Sequence, residues 1–105
     1  MKNAEPVITG LGIVSPIGIG IDNFWQSACL GRSGLRRARF VAPSVPENSH
    51  IVGEVIDFRP AEWLSYRAAR TASRFSQFAV AAADMALADA GIRSIASDTL
   101  SPDDL

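Results

Sequence analysis

The chain has 105 residues, 48% of them hydrophobic and 20% charged, which describes one small globular unit and excludes a disordered or low-complexity segment. Its formal net charge of -1 excludes no partner class, but nine of its ten basic residues are arginine, and they gather in two spans. Arg32, Arg36, Arg37 and Arg39 form the first; Arg59, Arg67, Arg70 and Arg74 form the second. Guanidinium forks suit phosphate or carboxylate partners, with a solvated basic face as the plain alternative. One cysteine, Cys29, closes no internal disulfide, so a reducing, cytoplasmic compartment is expected. Asp84 and Asp89 interrupt the only long apolar helical run, so no membrane span is expected.

In chain order, Val7 to Val14 is an almost unbroken apolar, β-branched run that reads as a strand buried on both faces, the kind found inside a helix-covered sheet. Gly10 and Gly12 remove the Cβ where something packs closely on the backbone, and Ser15-Pro16 ends the ladder. A turn follows through Gly18 and Gly20. Asp22 is the expected N-cap of a short helix over residues 23–30, with Phe24, Trp25, Ala28 and Cys29 on its apolar face and Gly31 as its C-terminal cap. The arginine-rich segment and the loop 42–50 carry turn residues and little else. Ile51 to Ile56 reads as a second strand, and Pro60 with Glu62 places a short helical piece through Leu64. The strongest helix runs from Phe75 to Ala90, apolar around most of its cylinder, with Arg70, Arg74, Gln77 and Asp84 as a narrow polar ridge. Gly91 caps it, and Ile92 folds back on its last turn. Residues 93–105 read as a connecting segment.

These parts do not close on themselves. A strand buried on both faces needs neighbours on each edge and helices on each side, yet the chain offers one other strand and one fully apolar helix. The expectation is a piece of a larger fold or an obligate assembly partner. Generic site motifs fail one by one. Gly10-Leu11-Gly12 lacks the third glycine of a dinucleotide fingerprint, and Pro16 stands where the phosphate-binding helix should start. No Gly-Lys pair offers a P-loop, and Ser15 lacks a nucleophile elbow. His50, the only histidine, makes no zinc cluster and reads as a solvated loop residue, so no metal site is expected; a nucleic-acid partner is not expected either. Cys29 sits at the C-terminal end of its helix, where the dipole disfavours a thiolate, and is expected as buried, inert packing one turn from Trp25.

One ordered set of residues is more specific. Val7-Ile8-Thr9-Gly10-Leu11-Gly12-Ile13-Val14-Ser15-Pro16-Ile17-Gly18 is followed by Phe24-Trp25 and Gly31-Arg32-Ser33-Gly34. Then come Gly53-Glu54-Val55 with Asp57-Phe58, Pro60 with Leu64, and Arg74-Phe75-Ser76-Gln77-Phe78-Ala79 running into Ala88-Asp89-Ala90-Gly91. Over about residues 6 to 92 this resembles the amino-terminal opening of β-ketoacyl-acyl-carrier-protein synthases, which elongate fatty acids or polyketides. The resemblance implies an α/β chain: an incomplete amino-terminal half of a thiolase-like layered α/β/α fold, in proteins that pair as homodimers or heterodimers. It places the Val7 strand first in that half's sheet and the Phe75 helix in the interior.

The reaction implied is a decarboxylating condensation in which a cysteine takes an acyl group from a carrier protein and malonyl-carrier supplies the attacking carbanion, with two histidines assisting. None of those three residues matches a position in this sequence, so the resemblance implies no catalytic residue here and no activity for the chain alone. No cofactor is implied either, because the phosphopantetheine arm belongs to the acyl carrier protein. Basic residues matching Arg67, Arg70 and Arg74 are implied as the carrier-docking set, although Ala72-Ser73 replaces the usual Met-Asp beside it. The alternatives are a chain-length factor, which shares the fold without the nucleophile, or a small binding module of another class.

Overall fold

The computed structural model describes residues 4–92. Its elements run β1 (Val14–Ser15), β2 (Gly18–Ile19), α1 (Ile21–Cys29), β3 (Leu35–Arg37), β4 (Ile51–Gly53), α2 (Tyr66–Thr71) and α3 (Arg74–Asp89), with 3-10 turns at Glu47–Ser49 and Pro60–Glu62. The expected connecting segment 93–105 lies outside the described residues. Each pair of strands is followed by helix, and the strands make two separate antiparallel pairs, β1 with β2 and β3 with β4.

The opening run departs from its reading. Only its end is a paired strand: Val14 faces Ile19 and Ser15 faces Gly18 across a Pro16-Ile17 turn. The Ser15 hydroxyl locks that turn, donating to the Gly18 carbonyl at 2.8 Å and accepting from the Ile17 N–H at 3.3 Å. Before it, the chain runs antiparallel along α3, with Gly10 against Ala86 and Ala90 and Gly12 against Ala82 and Ala86. A Cβ at either glycine would collide with the helix backbone, so the close approach anticipated at these two positions is present. The Leu11 N–H donates to Asp89 Oδ2 at 3.0 Å and pins the end of the contact. The opposite face is bare, with Val7 76% and Leu11 56% exposed. Burial on both faces fails because α3 covers one face and nothing among the described residues covers the other, and no strand there pairs along residues 4–13.

Gly20, not Asp22, occupies the N-cap of α1, and Asp22 sits in the first turn. The helix ends as anticipated: Gly31 takes a left-handed φ of 68°, its N–H reaching Ala28 O while the Arg32 N–H reaches Ser27 O. Gly91 ends α3 in the same way, and the Ile92 N–H returns to Leu87 O at 3.0 Å. The face of α1 turned inward is not the predicted one. Ser27 is buried and Phe24 half-buried, while Trp25, Ala28 and Cys29 are exposed because nothing among the described residues packs over them.

The arginine-rich segment, read as turn, is strand β3, with Leu35 opposite Gly53, Arg36 opposite Val52 and Arg37 opposite Ile51. Strand β4 stops at Gly53 and does not continue to Ile56. The connection between the two strands is tied inside itself, the Ala38 N–H donating to His50 O at 2.7 Å and the His50 ring bonding through Nε2 to Val45 O at 3.1 Å. His50 is therefore half-buried and partnered rather than solvated.

The core is small. Phe58 and Ala81 are its only buried hydrophobic residues among those described. Phe58 meets Phe78 edge to face, ring centroids 4.9 Å apart at 89°. Gln77, expected on the polar ridge, is buried instead, its Nε2 donating to Ala69 O at 2.9 Å and to Ala72 O at 3.4 Å, so it caps the end of α2 from α3. With so few buried side chains and several large apolar ones exposed, the described residues form an open, unfinished α/β unit.

Candidate functional site

The second arginine span is divided by a bend. Ser65 caps α2 by accepting the Ala68 N–H at 3.2 Å, and the helix runs only from Tyr66 to Thr71 before Ala72 and Ser73 adopt extended backbone, with ψ of 142° and 160°. Arg67 and Arg70 therefore share one turn of α2, whereas Arg74 opens α3. Tyr66, Arg67, Arg70 and Thr71 line a shallow groove of about 260 Å³. Within it the Arg70 guanidinium lies over the Tyr66 ring, 5.5 Å from its centroid, and Nη1 donates to the Tyr66 hydroxyl at 3.4 Å. No carboxylate among the described residues pairs with Arg67 or Arg70.

Arg74 is engaged elsewhere. Its guanidinium lies 4.9 Å from the Phe78 centroid and 5.8 Å from that of Phe58, and Nη2 donates to Val55 O. It fastens the chain after β4 to the start of α3. Of the three arginines singled out in the sequence, the structure brings together two, Arg67 and Arg70, and adds Tyr66, which sequence reasoning missed. The available signal was an aromatic residue four positions before Arg70, the spacing at which helix side chains meet.

The first span is divided as well. Arg32 and Arg36 line a second cleft, of about 600 Å³, together with Arg59, Trp63, Asp57 and Glu62. Arg37 approaches Glu47 at 4.0 Å, and Arg39 grips Glu54 through two hydrogen bonds of 3.2 and 3.1 Å. The Arg39 hydrogen bonds hold the Glu54 carboxyl below its ordinary range. A lowered folded value means that the pair's support of the β3–β4 ribbon is complete above the unfolded Glu value near about 4.3 and is lost as pH falls through the folded value. Acidification should therefore raise hydrogen exchange at the Ala38 amide relative to its intrinsic rate, and Glu54→Gln should remove that pH dependence. An unchanged pH profile in the Gln variant would show the pair to be idle.

The chain's only cysteine and only histidine do not form a site. Cys29 ends α1 and is exposed, correcting the expectation of buried packing, and His50 is held by Val45. No group of three or more potential metal ligands occurs among the described residues. No helix there is long and apolar enough to cross a membrane.

The family described as β-ketoacyl synthase, N-terminal domain, matches residues 4–101. The chain belongs to the β-ketoacyl synthase family. A 3-oxoacyl-[acyl-carrier-protein] synthase 2 of Coxiella burnetii is 41% identical over 93 residues, covering 88% of this chain and 22% of that protein. A granaticin polyketide β-ketoacyl synthase 2 of Streptomyces violaceoruber is 38% identical over 87 residues, covering 82% of this chain and 20% of that one. Among solved structures, the ishigamide ketosynthase/chain length factor superposes with a TM-score of 0.70 at 37% identity, covering 94% of this chain and 22% of the other. The chain spans about a fifth of the length of these β-ketoacyl synthase relatives. That ratio and the open core agree: the described residues form an incomplete α/β portion of a thiolase-like ketosynthase fold.

Proposed function

We propose that this chain is the amino-terminal portion of a β-ketoacyl synthase that condenses acyl thioesters with malonyl-carrier, and that α2 docks the acyl carrier protein. The observation that carries the docking role is the pair Arg67 and Arg70, one turn apart on α2 without a carboxylate partner, in a chain similar to a synthase named for that carrier. Carrier proteins present an acidic surface and a phosphate-bearing arm, and paired guanidinium groups attract both. Arg74, spent on Phe58, Phe78 and Val55, has a structural part in this reading.

Bond making falls outside the chain. The reaction needs a cysteine to hold the acyl group, loss of carbon dioxide from the malonyl unit, and attack of the resulting carbanion on the thioester. Cys29 and His50 sit in separate elements and serve none of these steps. A paired assembly and a cytoplasmic setting belong to the same reading. The relative titled as a ketosynthase/chain length factor favours one second reading, the non-catalytic partner. A cysteine in a strand-to-helix turn followed by two histidines, read from the coding sequence past Leu105, selects the synthase; their absence selects the partner.

In the full-length protein, Arg67→Glu with Arg70→Glu should weaken carrier binding by about tenfold or more at low salt and flatten its salt dependence, because rim charges act mainly on encounter. Binding that matches the parent across a salt titration would remove the docking role.

A further inference from the structure

Arg70 is not a free rim charge. A surface arginine loses rotamer freedom when it docks on a partner, and that loss reduces affinity unless the side chain is ordered beforehand. Here the Tyr66 ring lies under the guanidinium at 5.5 Å, and the Tyr66 hydroxyl accepts from Nη1 at 3.4 Å, so one neighbour meets both the guanidinium and one end of its fork. Arg67, on the same groove, has no such restraint; its backbone carbonyl accepts from the Thr71 hydroxyl, but its guanidinium has no partner among the described residues. Tyr66 is itself 77% exposed, so the ring is available to a partner while it holds Arg70. Tyrosine beside arginine is the composition of interface hot spots, where a rigid aromatic anchor sits next to an oriented charge.

From this geometry we infer that Tyr66 is a positioning residue for carrier recognition, presenting the Arg70 guanidinium in a fixed orientation to a phosphate or carboxylate of the acyl carrier protein. This rests on the docking role of α2 proposed above. The occupant follows from charge complementarity: two guanidinium groups on one helical turn, with no carboxylate among the described residues to neutralise them, fit an anionic protein surface.

The test uses the full-length protein and acyl carrier protein bearing its pantetheine arm, with binding followed by fluorescence anisotropy over a salt series. Tyr66→Ala should weaken binding about fivefold to tenfold at low salt, and the loss should fade at high salt alongside that of Arg70→Ala. Tyr66→Phe, which keeps the ring, should stay within about twofold of the parent. In a double-mutant cycle, Tyr66→Ala and Arg70→Ala should be strongly non-additive, because the tyrosine acts through the arginine. The melting temperature of Tyr66→Ala should stay within about 2 °C of the parent's, which separates positioning of the arginine from support of the fold.

Additive effects, or unchanged binding in Tyr66→Ala while Arg67→Glu still weakens it, would overturn the positioning role and leave docking at α2 intact. A melting temperature lowered by more than about 5 °C in Tyr66→Ala would overturn it too, by showing that Tyr66 supports the fold. If neither Arg67→Glu nor Arg70→Ala alters binding, the docking role itself fails, and the positioning role falls with it.

Discussion

Gly12→Ala should cost the protein about 3 kcal/mol or more, the upper range for a side chain forced into a filled space. The added methyl would land on the Ala82 carbonyl and within 2.9 Å of the Ala86 nitrogen, and both are backbone atoms inside α3. Backbone in the middle of a helix cannot rotate away as a side-chain tip can. The only relief is to lift residues 4–13 off α3, which also breaks the bond from the Leu11 N–H to Asp89. Trimming Ala82 to glycine should not rescue the variant, because the collision is with the carbonyl and not with the methyl group. Urea denaturation of the full-length protein reads both substitutions; a loss below about 1 kcal/mol, or rescue by Ala82→Gly, would mean that the strand and helix do not meet at this position.

Phe58→Ala should be comparably damaging, about 3–5 kcal/mol, as for other buried phenylalanines. The ring is 6% exposed, meets Phe78 edge to face, and lies beneath the Arg74 guanidinium. Removing it leaves a void beside Phe78 in a core with little else to collapse inward. It also removes one of the two rings that hold Arg74 toward Val55. Phe58→Leu should recover most of the apolar burial while losing the edge-to-face and cation contacts. Combining Phe58→Ala with Arg74→Ala should then give much less than the sum of the single losses, since both disable one clamp. Strict additivity would show that the arginine and the ring act independently.

Much of this architecture was legible in the residues. The caps at Gly31 and Gly91, the long alanine-rich helix and the close approach at Gly10 and Gly12 follow from local rules that need no partner. What escaped reading depended on distant groups. Gln77 looked like part of a polar ridge because the carbonyls it satisfies, Ala69 and Ala72, become orphans only once the chain bends at Ala72-Ser73. Strand β3 was hidden because Arg36 and Arg37 break its apolar pattern, and its pairing comes from Val52 and Ile51 across a long connection. The exposure of Trp25 and Cys29 was illegible for the opposite reason: amphipathic spacing identifies a face made for contact, but not whether that contact lies within the chain. At the groove, the family resemblance and helical spacing placed Arg67, Arg70 and Arg74 in one set, and the bend at Ala72-Ser73 separates the third.

The contact between Gly12 and Ala82 also sets an order of events during biosynthesis. About seventy residues separate the two positions, and at about 5–20 residues per second the ribosome takes several seconds to deliver the second after the first. Over that interval residues 10–13 have no helix to lie on, and the uncovered apolar segment with its free backbone edge resembles those through which nascent chains adhere to one another. Aggregation of slowly translated or crowded chains should therefore begin at this segment, and hastening the arrival of α3 should protect it more than strengthening any contact made earlier in the chain.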